Sequence, residues 1–292
     1  MTIRKTIQLS IQNFLATSHL QLEMKQVILD LLHSKGKIFH ENSHFTWGEF
    51  SYYISSLIAE KPVICHAAAM ELLMLATDLF DDLVDGDNSQ SLSPAQQGIL
   101  APALLMEALH LFMQEATQPL STTWNCIYHT LQEASNGQWL DISITADHPS
   151  ATEQHYFQMI EKKSCSFMQL IFELHSTKQN PVLIEVATMI GYTAQLANDI
   201  QDIFASNKSD LLQKKATLPI IMALKEDKGL LLAQLQRSHS NIKEIQTCIK
   251  ETGAIDYCTI LARQYRKKAI LLLQQQYPTK QQEIAHIMAM IE

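Results

Sequence analysis

The chain has 292 residues, 47% of them hydrophobic, and a formal net charge of −8. That is ample for a packed core. With only four arginines (Arg4, Arg237, Arg263, Arg266) and no basic patch interleaved with aromatics, nucleic acid is not an expected partner. The scattered cysteines (65, 126, 165, 248 and 258) show no metal spacing, and no apolar run approaches the ~18 residues of a transmembrane helix, so a soluble, reduced, cytoplasmic protein is expected.

Taken in chain order, "TIQLSIQNFL" is too polar for a signal-peptide core. The long segments that follow, "HAAAMELLMLATDLFDDL", "PVLIEVATMIGYTAQLANDI" and "EIAHIMAMI", repeat at helical period, and strict period-2 alternation is scarce. Turn signals fall at "SKGK" (34–37), "GDNSQSLSP" (86–94), "SNG" (135–137), "ADHPSA" (146–151), "TKQNP" (177–181), "SNKSD" (206–210) and "YPTK" (277–280). The expectation is an all-α protein, one domain over residues 1–292, built as a helical bundle with short connections.

Residues 72–88, "LLMLATDLFDDLVDGDN", end an apolar helix in five aspartates. Burying a carboxylate costs several kcal/mol unless it is paired or bound to a cation. On a helix Asp81 and Asp85 lie one turn apart and can reach the same ions, with Asp78 one turn deeper. Mg²⁺ suits such donors, because it takes carboxylates, waters and substrate phosphates. Alone, "DDLVD" reads equally well as an acidic helix end. A second cluster, "AQLANDIQDI", places Asn198, Asp199 and Asp202 late in another apolar helix, with Asn198 and Asp202 on one face. Two acidic faces on two apolar helices suggest a shared cavity where cations and a diphosphate complete the charge. Lys163, Lys208, Lys214 and Lys215 each read singly as solvated surface lysines. They gain meaning only beside the acidic motifs.

"DDLVDGD", "NGQWLD" (136–141), "YFQMIEKKS" (156–164), "AQLANDIQD" (194–202) and "SDLLQKKATLP" (209–219) follow in order the motifs of trans-prenyl diphosphate synthases. Those motifs are DDxxD, GQxxD, a Lys-Thr pair, a Gln-containing second Asp-rich motif and DLxxGKxTLP. The chain resembles that family over roughly residues 45–290. The resemblance implies an isoprenoid synthase helical bundle around a central cavity, usually homodimeric. It implies that Asp81 and Asp85, supported by Asp82, bind two Mg²⁺ ions. Asn198, Asp199 and Asp202 would hold a third. Lys163, Ser164, Gln195, Lys208 and Lys215 would contact the diphosphate, with Asp81, Asp85 and Lys163 central to catalysis. Ala76 and Thr77, five and four residues before Asp81, would floor the chain-length pocket next to Asp78. Both are small, which favours a fifteen-carbon farnesyl group.

Chain-elongating members carry a basic GKRxRP-like motif upstream and two arginines after the first DDxxD. Here residues 5–236 contain no arginine. The allylic site looks kept and the isopentenyl diphosphate site lost, since that site depends on guanidinium forks. Asn198 stands where the second motif usually begins with Asp, and Phe80 where many members have His. These features look most like the ComQ-type prenyltransferases, which prenylate a tryptophan of a bacterial peptide pheromone. The expected partners are an allylic prenyl diphosphate and a small peptide. A short-chain polyprenyl diphosphate synthase, a terpene cyclase on the same fold and a non-catalytic subunit remain the alternatives.

Overall fold

The computed structural model describes the chain except for residues 35, 60–61, 87–91, 117, 177–179, 206–209, 228, 236–241 and 292. In chain order its helices are α1 (Ile3–Thr17), α2 (Leu22–Leu32), α3 (Trp47–Ile58), α4 (Ile64–Asp85), α5 (Pro94–Gln114), α6 (Leu120–Ser143) and α7 (Glu153–Ile160). A π-helical turn (Glu161–Cys165) leads into α8 (Ser166–His175). Then come α9 (Pro181–Phe204), α10 (Asp210–Gln213), α11 (Leu218–Glu226), α12 (Leu230–Leu235), α13 (Ile242–Glu251), α14 (Ala254–Gln276) and α15 (Gln281–Ala289). No strand occurs among the described residues, and one isolated antiparallel bridge joins Thr145 to Lys215. The protein is all-α.

The described chain forms two compact units. One comprises residues 1–125 with 174–177 and 285–290; the other comprises 126–173, 178–284 and 291–292. In the first, α4 is the core. Every residue from Cys65 to Ala76 is buried, as expected for a helix apolar all round. It packs against α1, α3 and α5. It ends where Gly86 adopts φ 71°, a left-handed conformation that costs a glycine little, and the Gly86 N–H bonds to the Asp82 carbonyl. Helix α5 opens with a capping box, Ser93 and Gln96 satisfying each other's backbone N–H groups, and with Pro94 in its first turn.

In the second unit, α9 begins at the Asn180-Pro181 pair foreseen as a turn signal. Asn180 Oδ1 accepts the N–H groups of Val182 (3.1 Å) and Leu183 (3.4 Å). Helix α9 packs against α14 and the π turn. Ile160, which leads into that turn, joins Tyr156, Leu196, Leu218 and Cys258 in one buried apolar cluster. The "SNG" signal fails: residues 135–137 are interior to α6, because Gly137 serves close packing there rather than a chain reversal.

His66 and His175 lie tilted against each other in the first unit with ring centroids 5.3 Å apart, and all four ring nitrogens are buried with no hydrogen-bond partner among the described residues. Burial pushes His175 down to about 3 and lowers His66 too. In the unfolded chain both titrate near the ordinary ~6.5. Between those values the unfolded state binds more protons, so stability rises with pH. The contribution is complete above pH ~6.5 and is lost as the pH falls towards 3. At pH 5, His175 alone should cost about 2 kcal/mol relative to pH 7. The denaturant midpoint should therefore drop between pH 7 and 5 by more in the native protein than in His175→Leu. Equal drops would show that the ring takes up protons within the fold.

Candidate active site

The first acidic motif occupies the last turns of α4. Asp81, Asp82 and Asp85 are partly exposed, and no basic residue lies in that helix's last turn. Carboxylates at a helix C-terminus oppose the macrodipole. One turn deeper, Asp78 forms an ion pair with Lys37, whose side chain is only 12% exposed. Burial by itself would lower the Lys37 pKa, but the carboxylates of Asp78 and Glu71 outweigh it and the net shift is upward. Glu71 is wholly buried and accepts the backbone N–H groups of Ile38 (2.7 Å) and Gly48 (2.8 Å). It thereby clamps the segment carrying Lys37 onto α4. Arg4 completes the clamp, donating to Glu49 Oε2 and to the carbonyls of His40, Glu41 and Ser43. Of the expected pocket residues, Ala76 is fully buried. Thr77 is half-buried, with its hydroxyl donating to the Met74 carbonyl (3.0 Å).

The π turn holds Lys163 and Ser164. A single π turn widens the helix by one residue and is frequent at functional sites. Lys163 Nζ pairs with Asp141 at 2.7 Å, and Lys162 pairs with Glu133 at 2.5 Å; both acids lie on α6. A Cβ on Gly137 would stand 2.2 Å from the Lys163 backbone nitrogen and 2.6 Å from its Cα. Only glycine lets α6 approach that closely. "NGQWLD" is thus a partner of "KKS": its glycine admits the turn and its aspartate holds the lysine.

From the same turn, Ser164 Oγ donates to Gln195 Oε1 (2.7 Å), Gln195 Nε2 donates to Asp199 Oδ1 (2.8 Å), and Tyr156 Oη donates to Asp199 Oδ2 (2.7 Å). The amide orientation follows from chemistry, since a carboxylate only accepts and so must face the NH₂ group. Burial first, then the adjacent carboxylate, holds the Tyr156 phenol well above its ordinary value, so it remains a donor. Asp199 is 4% exposed. Asn198 is exposed and Asp202 partly so. The structure therefore joins Gln195, Ser164 and Asp199, and sets Asn198 and Asp202 on another face of α9.

Lys215 lies in the bridge to Thr145, beside Lys214, which has φ 56°. The motif that this segment resembles carries glycine at that position. Here a lysine takes the left-handed conformation, held by the Ala146 N–H on its carbonyl (2.8 Å). Lys208 and Asp87 fall outside the described residues. Among the described residues no three His, Cys, Asp or Glu side chains already group to hold a metal. The donors nevertheless fit a hard cation, being oxygen ligands one turn apart on α4 and on α9. Sequence reasoning missed Lys37, Glu71, Asp141 and Tyr156 as site residues. The available signal for Asp141 was its place at the end of "NGQWLD" (136–141).

A polyprenyl synthetase family model matches residues 22–252. The tryptophan prenyltransferase ComQ of Bacillus subtilis subsp. natto is 27% identical over 241 residues, covering 76% of this chain and 73% of that protein. The heptaprenyl diphosphate synthase of Staphylococcus aureus superposes with a TM-score of 0.80 at 18% identity, over 100% of this chain and 98% of that one. A polyprenyl synthase from Caulobacter crescentus, complexed with calcium and isoprenyl diphosphate, gives 0.76 at 18% identity, over 99% and 96%. The fold is that of the all-α isoprenyl synthases. The chain belongs to the polyprenyl synthetase family, and the protein is a prenyltransferase.

Proposed function

We propose that this prenyltransferase ionises an allylic prenyl diphosphate, with farnesyl preferred, and transfers the prenyl group to a tryptophan of a peptide rather than to isopentenyl diphosphate. The observation that carries the reading is the engagement of Lys37 and Arg4. Lys37 is held by Asp78, Arg4 by Glu49 and three carbonyls, and no further arginine precedes Arg237. A second diphosphate bound there would have to take the place of the Asp78 carboxylate on the largely buried Lys37 ammonium, so it gains no cation that is not already paired. The ComQ likeness supports an indole as the acceptor.

The residues that suit Mg²⁺ are Asp81 and Asp85, with Asp82 in support, and Asn198 with Asp202. When bound beside the diphosphate the ions supply positive charge to the departing pyrophosphate. Lys163, oriented by Asp141, is proposed to give the diphosphate an ammonium, and Lys208 and Lys215 to add further positive charge. Gln195 contributes a hydrogen bond, with its carbonyl held by the Ser164 hydroxyl. The allylic C–O bond breaks with its electron pair on pyrophosphate, an indole carbon supplies the pair for the new C–C bond, and the cationic adduct then loses a proton to the released pyrophosphate. The buried apolar cluster that begins at Ile160, next to the π turn, is proposed to limit water there. Thr77, which retains exposed surface, is the residue proposed to meet the prenyl tail. The whole chain is proposed to act as one catalytic unit.

The test is incubation with labelled geranyl, farnesyl and geranylgeranyl diphosphate and Mg²⁺, with either isopentenyl diphosphate or a Trp-containing peptide. Prenylated peptide and little elongated diphosphate are expected, with Thr77→Phe shifting preference from farnesyl to geranyl. Efficient elongation at micromolar isopentenyl diphosphate would restore the synthase reading.

A homodimer is proposed from α6, where Leu120, Trp124, Tyr128, Trp139 and Ile142 fall within one side of the helix and are 45–71% exposed. So large an aromatic face matches the composition of protein interfaces. Light scattering should return twice the 33.1 kDa chain mass, and Trp139→Glu should lower it. A monomer at micromolar concentration would end the proposal.

A further inference from the structure

Helix α9 carries its acidic motif on two faces. Asn198 and Asp202 are separated by one turn and share the more exposed side, whereas Asp199 is rotated about 100° from Asn198 and is 4% exposed. Both Asp199 carboxylate oxygens already accept a hydrogen bond, one from Tyr156 Oη (2.7 Å) and one from Gln195 Nε2 (2.8 Å). Tyr156 is completely buried, on α7. Gln195 in turn receives the Ser164 hydroxyl (2.7 Å) on the π turn beside Lys163. We infer that Asp199 is a positioning residue, not a metal ligand: it anchors a Tyr156–Asp199–Gln195–Ser164 chain that sets the diphosphate-binding turn against α9.

This deepens the proposed function and rests on it for the role of the turn. To reach an ion on the Asn198–Asp202 side, Asp199 would have to leave the fully buried Tyr156 phenol, and the part-buried Gln195 amide, without that acceptor, which is disfavoured. Retained in place, it fixes which end of Gln195 faces Ser164. The amide nitrogen must point to the carboxylate, so the carbonyl must point to the hydroxyl. The Ser164 proton is thereby committed to Gln195, and the Ser164 oxygen is left to accept. Ser164 itself therefore cannot donate to a diphosphate unless it exchanges partners. The remaining Gln195 amide hydrogen and the Lys163 ammonium are the donors this chain orients.

The experiment compares Asp199→Asn, Tyr156→Phe and Asp202→Asn in the full chain with two readouts. The first titrates Mg²⁺ at fixed inorganic pyrophosphate and follows the melting temperature. The second measures KM and kcat for the allylic diphosphate at saturating Mg²⁺. Asp202→Asn should raise the half-saturating Mg²⁺ about tenfold or more. Asp199→Asn and Tyr156→Phe should leave it within about twofold while each raises KM about tenfold, the common phenotype of one chain of contacts. Tyr156→Phe removes a single hydroxyl and carries the test should Asp199→Asn not fold. A tenfold Mg²⁺ shift in Asp199→Asn, or an unchanged KM in Tyr156→Phe, overturns the inference. If Asp202→Asn moves nothing, the metal reading of α9 fails, and the positioning chain still stands or falls on the two KM values.

Discussion

Asp81→Ala and Asp85→Ala should each lower kcat/KM by two to three orders of magnitude, the loss expected when a group stabilising transition-state charge is removed. Both residues are partly exposed at the C-terminal end of α4. Any interaction a partly exposed carboxylate makes there is worth about 1 kcal/mol or less, so the change in melting temperature should be small beside the loss of activity. That divergence between activity and stability is the signature of a site kept for chemistry. The measurement pairs steady-state kinetics with thermal melts. Full turnover in excess chelator, or a large fall in melting temperature with activity retained, would remove the metal role from this motif. On α9, Asn198→Asp should be tolerated better than Asn198→Ala, because a carboxylate can still ligate and a methyl group cannot.

Gly137→Ala is expected to be nearly as damaging, for a steric reason. The new Cβ would meet the Lys163 backbone nitrogen at 2.2 Å and its Cα at 2.6 Å, and neither belongs to a side chain that can swing away. Helix α6 and the π turn must separate. Overpacking of this kind costs roughly 1–3 kcal/mol or more. The displacement would also pull Lys163 from Asp141 and from its aim, and a shift near 1 Å is worth about a hundredfold in rate. Gly98→Ala is the internal control. Its Cβ would meet only a Leu83 methyl at 3.8 Å, and helix propensity favours alanine there by up to ~1 kcal/mol. If the two substitutions behave alike in melts and kinetics, the close approach of α6 is not what constrains Gly137.

Much was legible in the sequence because helices are local. Apolar period, the Asn180-Pro181 start of α9 and the Gly86 stop of α4 depend on residues within a turn or two of one another. The sharing of a face by Asp81 and Asp85, and by Asn198 and Asp202, followed from helix pitch alone. Ordered motifs named the family on the same one-dimensional footing. What needed the tertiary structure were the pairings between distant segments. Asp78 was an unexplained carboxylate until Lys37, forty-one positions away, stood against it. Gly137 read as a turn because its reason, the backbone of Lys163, lies on another element. Asp199 counted as one more acid in a cluster, since the spacing of an Asp-rich motif does not tell which carboxylate meets a buried Tyr156. Periodicity determines which side of its own helix a residue occupies. Which neighbour meets that side is decided only by packing, where each buried polar atom must find a partner whose place in the chain is unconstrained.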